Sequence, residues 1–149
     1  WPQTILGLTF NWGCWVGYTC IHDVVNYQAI LPLYLSGVCW TLVYDTIYGY
    51  QDRQDDKKIG VKSVPLTLGD HPQWPLTAIS AGMFGGLLYT GYQMDYTLPF
   101  YVGTSLVWSH MLWQIWSAEL DNTPNLWQRF TSNVYIGGAV TASMIAGHF

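Results

Sequence analysis

Five stretches of this chain contain no Asp, Glu, Lys or Arg: residues 1–22, 24–44, 71–94, 96–118 and 130–149, each 20 to 24 residues long. A helix on the surface of a water-soluble protein needs a polar, usually charged outer face. None of these windows can supply a charged one. About 20 residues of helix cross the ~30 Å hydrocarbon layer of a bilayer. The windows therefore predict an all-α membrane protein with five transmembrane helices, near residues 3–21, 27–45, 73–92, 97–117 and 130–147. Only 9% of the residues are charged, against about 25% in ordinary soluble domains. The mean hydropathy of +0.16 is modest because Trp, Tyr, Thr and Gly occupy many apolar positions.

The charge that remains is concentrated. Nine of the 14 charged residues fall between Asp45 and Asp70, in and around the stretch YDTIYGYQDRQDDKKIGVKS at 44–63. If the second helix runs on to about residue 56, Asp45, Asp52 and Asp56 share one stripe within roughly 40°, with Asp55 roughly 80° to the side. Like charges at i,i+4 repel and weaken a helix that binds nothing. Clustered carboxylates with room for water and phosphate suit a hard divalent cation such as Mg²⁺. Arg53, Lys57, Lys58 and Lys62 follow at once and suit the rest of an anionic ligand. The alternative is a solvated interhelix loop of mixed charge. Asp in mid-bilayer costs about 2.5–3.5 kcal/mol on insertion scales. The stripe is accordingly expected at the inner mouth of the bundle, beside a wet cavity.

Along the rest of the chain, Asn11 is expected to face protein or a cavity, as an interhelical hydrogen bond or a substrate contact. Pro32 lies near a helix start, where it is tolerated. VKSVPLTL at 61–68 is amphipathic enough to lie on the membrane surface. Gly82, Gly85 and Gly86 form a close-packing face, and Asp95 is expected to cap a tight turn. Trp108, Trp113 and Trp116 read as packing or interface residues. Cys14, Cys20 and Cys39 are odd in number and fall inside apolar windows, which argues against a disulfide framework. The four histidines show no metal-ligand spacing.

Five spans put the 46–72 and 118–129 segments on the same side. All five basic residues, Arg53, Lys57, Lys58, Lys62 and Arg129, are in those segments. By the positive-inside rule that side faces the cytoplasm or a mitochondrial matrix.

The YDT, DRxDD and IGxKS blocks within 44–63, the opening PQTILGLTFNWG and the closing RFTSNVYIGG resemble the UbiA superfamily of intramembrane aromatic prenyltransferases, over essentially the whole chain. The resemblance implies a nine-helix bundle around a lateral apolar cavity, of which this chain matches the C-terminal five helices. It also implies a Mg²⁺ cofactor, with Asp52 and Asp56 as the ligands of the second Asp motif and Asp55 and Asp45 in support. Arg53, Lys58 and Lys62 then match basic positions near a diphosphate. The implied partners are a polyprenyl diphosphate, a 4-hydroxybenzoate acceptor and the bilayer of the mitochondrial inner membrane, with the 46–72 catalytic-side loop toward the matrix. A ubiquinone-biosynthesis complex is a candidate partner, and no nucleic acid is expected. The family's first motif, NDxxDxxxD, is absent from these residues. The expectation is therefore a piece of a larger enzyme that does not turn over alone. A relative with another aromatic acceptor, and a non-catalytic membrane protein keeping half the fold, remain the alternatives.

Overall fold

The computed structural model describes residues 1–149, and it is helical throughout with no β-strand. The elements are α1 (Pro2–Phe10), α2 (Gly13–Ile21), α3 (Tyr27–Gly49), a 3₁₀ turn (Tyr50–Asp52), α4 (Arg53–Ile59), α5 (Val64–Leu68), α6 (Gln73–Gln93), α7 (Leu98–Ser117) and α8 (Thr123–His148). α3 is the hub. It packs on α6 and α8, which with α7 close a four-helix group, and it carries α1, α2 and α5 on its other faces.

The interior combines a hydrophobic core, with Phe100, Ile47, Leu76, Met83, Met111 and Leu126 buried, with close helix approaches. A Cβ on Gly86 of α6 would sit 2.9 Å from the Pro32 carbonyl oxygen of α3 and against Ser36 Oγ, and one on Gly103 of α7 would sit 2.7 Å from Ser143 Cβ of α8. Of the three glycines expected to form a close face, Gly86 makes that contact. Gly82 meets only Cys39 Sγ at 3.9 Å, and Gly85 meets nothing within 4 Å. Thr46, Ser80, Thr104 and Gln114 are fully buried, while Ile5, Leu106, Val134 and Tyr135 are 62 to 78% exposed. Large apolar residues outside, around a core in which Phe100, Leu76, Met83 and Met111 are buried beside these polar residues, is a distribution that suits a bundle solvated by lipid. By length and hydropathy alone, only the run Tyr27–Ile59 qualifies as a membrane span. α6, α7 and α8 are long enough, at 21, 20 and 26 residues, but their Thr, Ser, Gln and aromatic residues dilute them.

A buried amide pair ties three helices together. Asn133 Nδ2 of α8 donates to Gln114 Oε1 of α7 at 3.1 Å, and Asn133 Oδ1 accepts from Trp40 Nε1 of α3 at 2.8 Å. Asn133→Leu is expected to cost about 1–3 kcal/mol, because it leaves buried donors and acceptors unpaired. The Gln114→Leu/Asn133→Leu double variant is expected to lose less than the sum of the two single changes. Denaturant unfolding in micelles measures both.

Several boundaries differ from expectation. The helix expected over 3–21 is broken at Asn11–Trp12, where tight turns such as Cys14 N–H to Asn11 O replace the regular ladder. Asn11 makes the break affordable by donating Nδ2 to Gly7 O at 2.8 Å and to Thr41 Oγ1 of α3 at 2.9 Å, so the interhelical hydrogen bond is its role. The last helix begins at Thr123, not 130, because Asn122 accepts the Asn125 N–H as a cap and Pro124 starts the first turn. Arg129 does not end it. That side chain is buried, donates Nε to Ser117 Oγ at 2.9 Å and lies 4.1 Å from the Trp113 ring. The 61–68 segment packs one side against the bundle and leaves Lys62 and Thr67 exposed. Ser63, Val64 and Pro65 are buried, and Gln3 Oε1 accepts the Val64 N–H. Asp95 does form the tight turn, at φ +53.

Both charged segments lie at one end of the bundle, since Arg53 and Lys57 share a pocket with Leu120, Asp121 and Thr123. The turn before α7 and the end of α8 meet at the other, where Thr97 N–H bonds Gly147 O at 2.8 Å.

Candidate active site

Asp52 closes the 3₁₀ turn and is the residue before α4. Asp56 lies one helical turn on. Residues at i,i+4 have Cβ atoms about 6 Å apart, so this pair can share one ligand. Neither carboxylate accepts a hydrogen bond from the chain or enters an ion pair, and Asp52 is exposed while Asp56 is half-buried. The structure does not bring all four expected acids into one cluster: no three His, Cys, Asp or Glu side chains converge on a point. Asp45 is seven residues before Asp52, about 10 Å along the axis, and the 3₁₀ turn between them shifts the helical phase. Asp55 is engaged by Lys58 Nζ at 2.8 Å.

The cations divide likewise. Arg53 projects to the other flank of α4, where it bonds Asp70 Oδ1 at 2.6 Å, lies 5.7 Å from the Tyr50 ring and lines a polar pocket of about 730 Å³ with Lys57. Lys57 and Lys62 are exposed and make no ion pair. The Arg53 guanidinium holds the Asp70 carboxyl below its ordinary range, chiefly through the hydrogen bond. A lowered folded-state value means that this bond supports the fold above the unfolded carboxylate range and is lost as pH falls through the folded value. Amides of α4 are therefore expected to lose protection in Asp70→Asn, and acidification through the lowered folded value of Asp70 should reproduce that loss of protection in the wild type. Hydrogen exchange reads both.

Before Asp52 in the chain, Trp40, Tyr44 and Tyr48 recur at i+4 spacing on α3, and the 3₁₀ turn Tyr50–Asp52 separates them from the Asp52/Asp56 pair. Trp40 lines an apolar cavity of about 280 Å³ bounded by Leu33, Met83, Val107, Ile136 and Met144. Trp40 meets Tyr44 edge-on at 5.7 Å, Tyr44 meets Phe130 of α8 at 5.6 Å, and Phe130 meets Tyr48 at 4.5 Å and Trp127 at 5.8 Å. The aromatic cluster thus runs from the cavity along α3 toward the 3₁₀ turn that precedes the carboxylate pair. The i+4 recurrence of aromatic residues at 40, 44 and 48 was visible in the sequence; the two rings from α8 were not.

An all-helical bundle with large apolar side chains on its outside, an apolar cavity and paired carboxylates at one end of its hub helix has the form of a membrane protein's helical bundle. The chain belongs to the UbiA prenyltransferase family, which it matches over residues 1–138. It is 44% identical to the "4-hydroxybenzoate polyprenyltransferase, mitochondrial" of Drosophila pseudoobscura pseudoobscura over 147 residues, 99% of this chain and 37% of that protein. The Arabidopsis thaliana protein of the same name is 40% identical over 147 residues, 99% of this chain and 36% of that protein. The Homo sapiens one is 39% identical over 148 residues, 99% of this chain and 40% of that protein. The chain thus spans well under half the length of these relatives. No solved structure matches it.

Proposed function

We propose that the chain forms the second-motif part of a Mg²⁺-dependent enzyme that transfers a polyprenyl group from its diphosphate to the ring of 4-hydroxybenzoate, in the ubiquinone pathway of the mitochondrial inner membrane. The observation that carries this reading is the order along the hub helix, from an apolar cavity past aromatic rings to the 3₁₀ turn that precedes the Asp52/Asp56 pair. That order is the order of the donor itself, tail then reacting carbon then diphosphate. The chain crosses the bilayer five times in this reading, through α1–α2, α3, α6, α7 and α8, with the end that bears all five basic residues toward the matrix.

The residues present fit a magnesium ion. Mg²⁺ is commonly held by one or two carboxylates and completed by waters and substrate phosphates, and Asp52 and Asp56 are a free pair of that kind. Bound there, the ion would offset charge on the diphosphate and make it a better leaving group. Asp45 and Asp55 support the pair from further off. Lys62 and Lys57 draw the anion in, Lys58 joins them when it leaves Asp55, and Arg53 keeps α4 in place through Asp70. The allylic C–O bond breaks with its electron pair left on the diphosphate. The phenol ring supplies the pair for the new C–C bond, and its ring proton leaves to the released diphosphate. The apolar cavity keeps water from the intermediate cation.

The gene that carries this chain, expressed in yeast lacking their own 4-hydroxybenzoate polyprenyltransferase, tests the reading. Ubiquinone synthesis and growth on glycerol are expected to return. Persistent unprenylated 4-hydroxybenzoate, with the protein stable in the mitochondrial membrane, contradicts it.

A further inference from the structure

We infer that the polar pocket at the charged end of the bundle binds the headgroup of a zwitterionic phospholipid, with its phosphate on Arg53 and Lys57 and its ammonium on Asp121. The inference rests on the membrane placement proposed above and is independent of the prenyl-transfer chemistry. Three observations carry it. The first is how charge is divided in a pocket of about 730 Å³. Arg53 and Lys57 line it from α4, and Asp121 lines it from the turn between α7 and α8. Lys57 and Asp121 are both exposed, and neither enters an ion pair. Opposite charges that line one pocket without meeting leave a gap for a ligand that carries both signs.

The second observation is what the other charges are doing. Arg53 bonds Asp70 at 2.6 Å, and Asp55 is taken by Lys58 at 2.8 Å. The free charges left in the lining are therefore one of each sign, which favours a zwitterion over a simple anion. Arg53 is also held in place, 5.7 Å from the Tyr50 ring, and makes no hydrogen bond in the chain besides the one to Asp70. Its remaining N–H groups are free to take a phosphate oxygen.

The third observation is height. The pocket lies where α3 has just ended and α8 begins, between Tyr50 and Thr123. Around the same end, Trp74, Trp116 and Trp127 are 72, 53 and 52% exposed, and Trp74 meets Trp116 edge-on at 5.2 Å. Exposed tryptophans near helix ends mark the headgroup layer of a bilayer. Leu66 and Leu120 add apolar surface to the lining, which suits the glycerol end of a lipid. Neither Asp52 nor Asp56 is part of this pocket, so binding here needs no metal.

The chemistry selects among headgroups. A primary ammonium donates hydrogen bonds to the Asp121 carboxylate. A trimethylammonium has no N–H to give, and an anionic glycerol headgroup offers Asp121 no cation. The ligand class is accordingly an ethanolamine phospholipid.

The test places the chain in nanodiscs of equal parts dioleoyl phosphatidylethanolamine, phosphatidylcholine and phosphatidylglycerol, with EDTA present. Native mass spectrometry after gentle release then counts the lipid that stays on the protein. Wild type is expected to retain the ethanolamine lipid over each of the others by about fivefold. Asp121→Asn and Lys57→Gln each bring that preference to within about twofold of unity, with helix content unchanged by circular dichroism. Lys57→Arg keeps the preference, because the charge remains. Excess glycerophosphoethanolamine, which has the headgroup without the membrane anchor, leaves the lipid in place. A preference for the glycerol lipid, no preference in wild type, or an undiminished preference in both Asp121→Asn and Lys57→Gln overturns the inference. Displacement by the soluble headgroup overturns the assignment to a lipid. All of these results leave the prenyl-transfer reading as it stands, since that reading is tested at Asp52 and Asp56.

Discussion

Asp52→Ala and Asp56→Ala are each expected to weaken Mg²⁺-linked binding of farnesyl diphosphate by about 100-fold, roughly 2.8 kcal/mol, with membrane insertion and helix content unchanged. The two carboxylates are neighbours with no partner in the fold, so removing one costs the structure little and costs a shared cation one of its two charged ligands. Asp55→Ala serves as the contrast. Its carboxylate is taken by Lys58, and its effect on binding is expected to stay within about threefold. Equilibrium binding of labelled farnesyl diphosphate to the chain in nanodiscs, with and without Mg²⁺, separates the three variants. Equal losses for all three would mean that net charge matters and the pair does not.

Gly103→Leu is expected to have the largest effect on the fold. A Cβ there would meet Ser143 Cβ at 2.7 Å, and nearby a Cβ on Gly147 would come within 3.3 Å of the Phe100 Cα. α7 and α8 therefore touch almost backbone to backbone, and a four-carbon side chain can only push them apart. Overpacking of this kind costs on the order of 3 kcal/mol, which lowers the melting temperature of a domain this size by roughly 10 °C. Gly138→Leu on the same helix meets nothing within 4 Å, and its melting temperature should be close to that of wild type. Circular dichroism of the two variants in micelles reads the difference. A Gly103→Leu protein that melts with Gly138→Leu would show that α7 and α8 do not pack this closely.

How much of this could be read from the chain alone depended on which force set each feature. α6 and α7 were expected at 73–92 and 97–117 and are found at 73–93 and 98–117, because the charge-free windows end close to the turns at 69–72, 94–97 and 118–122. The break at Asn11 escaped that reasoning, since it depends on a side-chain bond to Thr41, thirty residues away in the chain. α8 was cut short at Arg129 because charge was taken as a boundary. The Asn122 cap and Pro124 mark the true start, and Ser117 and Trp113 shelter the guanidinium. Near the site, the helical wheel joined Asp45 to Asp52 and Asp56 by angle and neglected the rise between them. It also left out Asp70, which bonds Arg53 at 2.6 Å. The Asp52/Asp56 spacing needs only one helical turn, which α4 and the residue before it supply.

The most direct test of the central claim is isothermal titration of inorganic pyrophosphate into the chain in nanodiscs at fixed ionic strength. Saturable uptake is expected only with Mg²⁺ present, and it should vanish in the Asp52→Ala/Asp56→Ala double variant. The same heat without Mg²⁺, or in that variant, would contradict the assignment of these two carboxylates as the grip on the diphosphate.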